Sequence, residues 1–484
     1  MGWTLHELGL SGPSGVTVNG LAVDDRKVRA GDLFAALPGS SDHGARFAPK
    51  AVERGAAAVL TDPLGAQALD VDVPVVVVED PRAALAFAAA LVAGAQPETV
   101  VAVTGTNGKT SVASFTRQLW EALGLQAANI GTTGVEGGFD APSIHTTPEP
   151  ITLHRLLADM AAAGVTHAAM EASSHGLDQR RLDAVRLAAA GFTNLTQDHL
   201  DYHGDMRAYL AAKAGLFERV LPPDGVAVID VNGAAGREMA EACAGRGQEV
   251  ITVGEAEDAR IRLTGRRFDA AGQQVYFRWQ GVGYAAQLNL IGGFQAGNAL
   301  LAAGLAVGAG EDPQAVFAAL PRLGGVRGRM QAAATRANGA AVFVDYAHTP
   351  DAVATALAAL RPHVVGRIVA VVGAGGDRDR GKRPLMGRAA AEGADVVIVT
   401  DDNPRSEDPA TIRAAVMEGA PDAREVGDRA EAILRGADLL EPGDALLVMG
   451  KGHETGQVVG DTVLPFNDVE QASMSVAVLD GRGA

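Results

Sequence analysis

A chain of 484 residues, 47% hydrophobic and 20% charged, has the composition of a soluble globular protein and is too long for one ordinary core, so two or three domains are expected. A formal net charge of −17 argues against a nucleic-acid partner, and the single Cys243 excludes a disulfide framework or a cysteine metal site. The N-terminus lacks a basic n-region followed by an apolar h-region, and the most apolar long segment, 83–95, is too short to span a bilayer. No membrane insertion and a cytoplasmic location are therefore expected.

In chain order, residues 1–97 read as a first unit, with strands at 16–23, 57–61 and 73–78 and helical patterns at 46–54 and 81–93. Gln96-Pro97-Glu98 reads as a linker. The apolar run 100–103 then has the character of a buried parallel strand. Gly105-Thr106-Asn107-Gly108 turns the chain, and Lys109-Thr110 opens a helix reaching about Ala122. A glycine-rich turn between strand and helix points backbone N–H groups at an anion. Lys109 adds a point charge for the β/γ-phosphates, and Thr110 adds a hydroxyl ligand for Mg²⁺. The general phosphate-loop pattern has glycine where this chain has Val103.

Strands at 166–170, 188–193, 226–229 and 250–253 alternate with helices, which implies a parallel sheet. Between 260 and 291 the period changes to two, as in 274–279, and an antiparallel hairpin region is expected before helices at 295–307 and 313–319. Gly324 to Gly328 reads as a second boundary. Strands at 341–345, 368–372, 396–400 and 445–449 then alternate with helices again. The expected fold class is α/β in three domains, 1–97, 98–327 and 328–484, the central one an ATPase domain of phosphate-loop type with a mostly parallel sheet.

Six lysines stand against 35 arginines, a bias under which lysine survives best where a compact or deprotonatable amine is needed. Lys109, Lys213, Lys382 and Lys451 all fall in conspicuous motifs. Glu171, in MEASSHGLDQRR, follows a predicted strand and reads either as a solvated carboxylate or as a Mg²⁺ ligand. His199 and His203, in TNLTQDHLDYHGD, lie among acidic residues after a neighbouring strand, which suggests a shared metal cleft. Lys213 is a helix-face lysine or an amine that captures CO₂.

GTNGKT, MEASSHGLDQRR, TNLTQDHLDYHGD with AAK, DYAHTPD and DNPRSED, in that order, resemble the Mur ligases of peptidoglycan synthesis. The similarity covers all three predicted units and is greatest to the branch that adds the third amino acid. It implies uridine-nucleotide-binding, ATPase and C-terminal Rossmann-like domains. It also implies ATP-dependent addition of meso-diaminopimelate to UDP-MurNAc-L-Ala-D-Glu by a monomeric enzyme. Carried over by position, the loop Gly105 to Thr110 holds ATP, with Asn298, Arg329, Asp345 and His348 as the far wall that approaches when the third domain closes. Thr110, Glu171, His199 and a carbamate on Lys213 serve Mg²⁺, and Lys109, Glu171, His199 and Lys213 are the catalytic set.

Thr146, Thr147, Ser173, Gln179 and Arg181 are implied for the muramoyl dipeptide, and Val23, Asp25 and Ser40 for the uridine side. Asp25 stands where the family has serine, Ser40-Ser41 replaces its usual uridine-side residues, and Gln295 replaces an asparagine. Arg378, Asp402, Asn403, Pro404, Arg405, Gly450 and Glu454 are implied for diaminopimelate, with Arg405 a fork for the distal carboxylate and Glu454 suited to the distal ammonium. Lys382 and Lys451 are left without a role. Lysine or ornithine as the third amino acid, a folylpolyglutamate-type ligase sharing the GTNGK loop, and a nucleotide switch without ligation are the alternatives.

Overall fold

The structure is a computed structural model that describes residues 2–39, 42–141, 145–269 and 271–481. Its residues divide into two compact units, one of 1–262 with 300–316, the other of 263–299 with 317–484. Among the described residues no helix is long and apolar enough to cross a membrane.

In the first unit, a four-stranded parallel sheet runs in the order Gly20–Ala22, Asp32–Ala35, Ala58–Thr61, Val75–Val77. The strand expected at 16–23 is in fact broken. Thr17–Val18 pairs antiparallel with Trp3–Thr4, and Asn19 turns aside to donate its N–H to the Gly31 carbonyl at 2.8 Å. The helix expected at 46–54 begins as a 3-10 turn, Gly44–Phe47, and continues as Ala48–Glu53. Helix Pro81–Ala93 forms as expected. The Asp80 side chain accepts from the Ala83 N–H, proline takes the first turn where its missing N–H costs nothing, and Gly94 at φ 76° ends it.

The larger sheet of this unit runs Glu249–Gly254, Val226–Asp230, Ala189–Phe192, Thr99–Thr104, His167–Glu171, Ala127–Gly131, Gly134–Gly137. Every pairing is parallel except the last. Val100 to Val103 are at most 1% exposed, so the central strand is covered on both faces and needs no apolar–polar alternation. Helix Lys109–Ala122 buries Val112, Phe115, Leu119 and Trp120, each worth about 2 kcal/mol of removed apolar surface. Thr99–Thr104 lies between His167–Glu171 and Ala189–Phe192, so the carboxyl ends of three neighbouring strands open onto one crevice.

In the second unit, Gly272–Trp279 and Val282–Leu288 form the antiparallel hairpin anticipated from the period-2 pattern. A six-stranded sheet follows in the order Gln331–Thr335, Ala341–Asp345, Ala445–Met449, Ile368–Val372, Val396–Val399, Arg424–Glu425, parallel except for its first pair. Apolar clusters around Leu357 and Ile433 cover it with helices. A second hairpin, Gly456–Val459 with Thr462–Pro465, is largely exposed.

Candidate active site

The turn after Thr104 requires its glycines. Gly105 has φ 144°, and a Cβ there would lie 1.8 Å from Thr193 Oγ1; Gly108, at φ 91°, caps the following helix. The strand runs on through the buried Val103 to Thr104, so the turn is made by these later glycines. The segment after the neighbouring strand braces it. Thr193 Oγ1 donates to the Asn107 carbonyl at 2.6 Å, Asn107 N–H donates to Asn194 Oδ1 at 3.0 Å, and Thr106 Oγ1 donates to the Thr196 carbonyl at 3.1 Å. Lys109 Nζ donates to the carbonyls of Gly105 and Thr106 at 3.0 and 2.8 Å.

Glu171 is the last residue of its strand and 1% exposed, which overturns the solvated reading. Its carboxylate accepts from Thr110 Oγ1 at 3.1 Å and from the Thr132 N–H at 2.7 Å. Thr132 Oγ1 lies 3.0 Å from Thr146 Oγ1. Thr147 Oγ1 donates to the Glu171 carbonyl at 2.9 Å and accepts from the Ser173 N–H at 3.0 Å, while Ser173 Oγ caps the helix Ser174–Asp178. Arg181 donates to the Thr147 carbonyl at 2.7 Å and to Gln179 Oε1 at 2.8 Å. Burial, then the nearby Arg82, lowers the Arg181 guanidinium from its ordinary value. Both arginines line a cavity of about 170 Å³ with Val23, Glu149 and Gln179.

Val23 and Asp25 line a wider groove of about 1020 Å³. There the Asp25 carboxylate is paired with Arg54 at 2.7 Å. Ser40 lies outside the described residues.

Lys213, in helix Met206–Gly215, is 1% exposed, donates to the Gly105 carbonyl at 2.8 Å, and stands 4.1 Å from the centroid of the Tyr209 ring. Burial and Lys109 hold its amine well below the ordinary lysine range, with Asp198 opposing. Burial likewise pushes the Tyr209 phenol up to about 12. His199, at φ 53°, has Nε2 3.4 Å from Asp198 and stacks edge-on against His175 at 4.8 Å. Among the described residues no three His, Cys, Asp or Glu side chains converge on one point as a metal centre. Oxygen donors suited to Mg²⁺ are nevertheless present in the Thr110 hydroxyl and the buried Glu171 carboxylate.

Within the second unit, Asn298 Nδ2 donates to Gln295 Oε1 at 3.0 Å. Asp345 accepts from the N–H groups of Met330 and Ala347 at 2.7 and 2.9 Å. Burial raises its carboxyl, against the pull of Arg329. The Arg329 guanidinium stacks 4.7 Å from the Tyr346 ring centroid, and His348 Nδ1 lies 2.8 Å from the Tyr346 carbonyl. Lys382 Nζ donates to the His348 carbonyl at 3.0 Å.

The DNPR segment forms a separate cluster. Gly450, at φ 117°, lets Asp402 approach: a Cβ there would lie 2.3 Å from Asp402 Oδ2. Asn403 Nδ2 donates to Glu454 Oε2 at 2.8 Å. Arg405 has φ 51°, and its Nη1 donates to the Gly376 carbonyl at 2.7 Å. Arg405 is half-buried. Arg378 Nη1 donates to the Asp377 carbonyl, and Asp377 accepts from Ser406 Oγ at 2.6 Å, which ties the GGDR turn to the segment after DNPR. Pro404 accepts from the Glu407 N–H at 3.0 Å, and the nearly buried Arg383 holds the Glu407 carboxyl down at about 2.

The chain matches the family described as Mur ligase middle domain over residues 103–306, the Mur ligase glutamate ligase domain over 328–452, and the Mur ligase family catalytic domain over 17–92. It is 53% identical over 466 residues to the UDP-N-acetylmuramoyl-L-alanyl-D-glutamate–2,6-diaminopimelate ligase of Bradyrhizobium diazoefficiens, covering 95% of each chain. The chain belongs to the Mur ligase family. This Mur ligase is also 52% identical to the protein of the same name from Caulobacter vibrioides, covering 96% of each chain. A solved structure of a ligase of that name matches it with TM-score 0.73 and 34% identity, covering 100% of this chain and 99% of that one. A folylpolyglutamate synthase from Mycobacterium tuberculosis, at TM-score 0.63 and 22% identity, covers 76% of this Mur ligase and shares its fold.

Sequence reasoning missed several parts of this Mur ligase's site. Thr132 and Arg82 carry no motif of their own, and Thr193 and Asn194 open TNLTQDHLDYHGD without being singled out; all four become relevant only through strand order and helix placement. The hairpin Gly456–Val459 with Thr462–Pro465 was also missed, because its strands are short, the first mostly half-buried and the second exposed, and show little apolar alternation.

Proposed function

We propose that the chain is the ATP-dependent ligase that joins meso-diaminopimelate to the D-glutamyl carboxylate of UDP-MurNAc-L-Ala-D-Glu, as a cytoplasmic monomer serving peptidoglycan synthesis. The observation that carries this reading is the DNPR cluster, where Asn403 and Arg405 of one loop offer an amide and a guanidinium, and Asn403 is hydrogen-bonded to the carboxylate of Glu454 in the GKGHE turn. A diamino diacid presents the complementary ammonium and carboxylate groups. Domains are assigned to 1–97, 98–327 and 328–484.

In this reading the loop Gly105 to Thr110 binds the ATP phosphates, and Asn298, Arg329, Asp345 and His348 are further ATP-binding residues. Thr146, Thr147, Ser173, Gln179 and Arg181 bind the muramoyl dipeptide, and Val23, Asp25 and Ser40 its uridine side. Arg378, Asp402 to Arg405, Gly450 and Glu454 bind diaminopimelate. Thr110, Glu171, His199 and a carbamate on Lys213 would hold Mg²⁺, which neutralises phosphate charge when bound. Lys213 fits the carbamate because its buried amine is held toward the neutral form, whose lone pair adds to the carbon of CO₂ with loss of one proton. The D-glutamyl carboxylate attacks the γ-phosphate, giving an acyl phosphate and ADP, and the incoming amine displaces phosphate. Lys109 and the loop N–H groups contribute by positioning and by electrostatic stabilisation.

ADP release measured with ATP and each substrate omitted in turn tests the reading. Sustained release should require both the muramoyl dipeptide and meso-diaminopimelate, with a tripeptide product of the corresponding mass. Release that is indifferent to either substrate would assign a switch or another ligase, and faster turnover of lysine or ornithine would change the third amino acid.

A further inference from the structure

In a chain that favours arginine almost six to one, Lys451 is 0% exposed. An ammonium carries three N–H donors and no acceptor. Lys451 Nζ meets three acceptors: Asn403 Oδ1 at 3.1 Å, Glu454 Oε2 at 3.1 Å and the carbonyl of Gly456. They belong to three segments, the DNPR loop, the GKGHE turn that carries Lys451 itself, and the start of the exposed hairpin. A planar guanidinium cannot set three donors on such a tripod, which gives a reason for lysine here.

The same contacts orient the amide. Asn403 Oδ1 accepts from Lys451 and from the Val458 N–H at 2.9 Å, so the oxygen must point toward these two donors and Nδ2 toward Glu454 Oε2. Glu454 thus receives two donors on Oε2 and no hydrogen bond on Oε1 from the described residues, and its side chain is 32% exposed. One carboxylate oxygen is held while the other stays available to a ligand.

We propose that Lys451 is a positioning residue of the amino-acid site: its buried ammonium fixes the Asn403 amide and the Glu454 carboxylate so that Glu454 Oε1 receives the ammonium of the incoming diamino acid. The inference rests on the reading of DNPR and Glu454 as the amino-acid site. Lys451 does not touch the substrate; it acts through Asn403 and Glu454.

The test compares wild type, K451M, K451R, N403A and K451M/N403A by steady-state kinetics with each substrate varied. Wild type is measured first. Failure to use meso-diaminopimelate there would overturn the underlying reading independently of any variant. If Lys451 positions the site, K451M and K451R raise KM for meso-diaminopimelate about tenfold or more and leave KM for ATP and for the muramoyl dipeptide within about twofold. The double variant then costs no more than the larger single one, because both act through one network. An unchanged KM for meso-diaminopimelate, equal rises in all three KM values, additive effects of K451M and N403A, or loss of folding in both Lys451 variants would each overturn the proposal.

Discussion

Lys213 and Lys109 donate hydrogen bonds to the same carbonyl, that of Gly105, at 2.8 and 3.0 Å. Two ammonium groups on one acceptor repel, and the buried member is the one pushed toward neutrality. A carbamate there would turn a repelling neighbour of Lys109 into an attracting one and offer oxygen to Mg²⁺. Lys213→Ala should therefore lose about a hundredfold in kcat, on the scale of one lost electrostatic group in an active site. A small carboxylic acid added to the assay should restore part of the rate, whereas Lys213→Arg should stay inactive with or without it. Full activity of the alanine variant would overturn the assignment.

Lys109 rests on the turn's own carbonyls, at hydrogen-bond distance from Gly105 and Thr106. Lys109→Ala should abolish ADP release, while calorimetric titration should show the muramoyl dipeptide binding within about twofold of wild type. The residues proposed for that substrate, such as Thr147 and Arg181, hydrogen-bond to one another on other segments. Equal loss of both, accompanied by a changed circular-dichroism spectrum, would make the residue structural.

Arg405 is anchored through Nη1 on Gly376 and is half-buried, so the contact proposed for it with a distal carboxylate would be partly screened by water. A preference for meso-diaminopimelate over lysine of roughly ten- to a hundredfold in kcat/KM is expected, about 1.4 kcal/mol per decade. Arg405→Ala should lower the diaminopimelate rate and narrow that gap. Competition kinetics would expose an error directly, by showing the gap unchanged in the variant.

Arg429 and Asp468 form an ion pair at 2.7 Å with both side chains 0% exposed, and the same guanidinium donates to the carbonyls of Met449 and Asp401. Removing one member strands the other charge in the interior. Asp468→Ala should lower the unfolding free energy by about 3–5 kcal/mol, read from the urea midpoint at constant slope. A loss below ~1 kcal/mol would show that the site rehydrates.

Burial, then the charges of Arg329, Arg327 and His348, lowers the His453 imidazole from 6.5 to about 4. The unfolded chain then binds more protons between those two values. Stability is accordingly retained above about pH 6.5, falls as the pH drops toward 4, and levels off below. The cost between pH 7 and pH 5 is on the order of 2 kcal/mol. Urea unfolding of His453→Gln at the two pH values should show a shallower loss than wild type; parallel losses would place the titration elsewhere.

What the sequence determined by itself was local. Helices Pro81–Ala93 and Lys109–Ala122 and strand Ala445–Met449 were legible because caps, glycines and apolar runs act within a few residues. The phosphate turn was legible for the same reason, since strand, glycines, lysine and helix are consecutive. The strand expected at 16–23 failed because Asn19 is drawn to Gly31, a partner no local pattern announces. Glu171 was recognised as a residue, but its burial against Thr110 and Thr132 depends on strand order. Only the tertiary structure could bring Lys213 onto a carbonyl 108 positions away and Lys451 onto an amide 48 positions before it. Burial and shared acceptors decide whether an amine is neutral, charged or fully satisfied, and neither is a property of residue type or spacing.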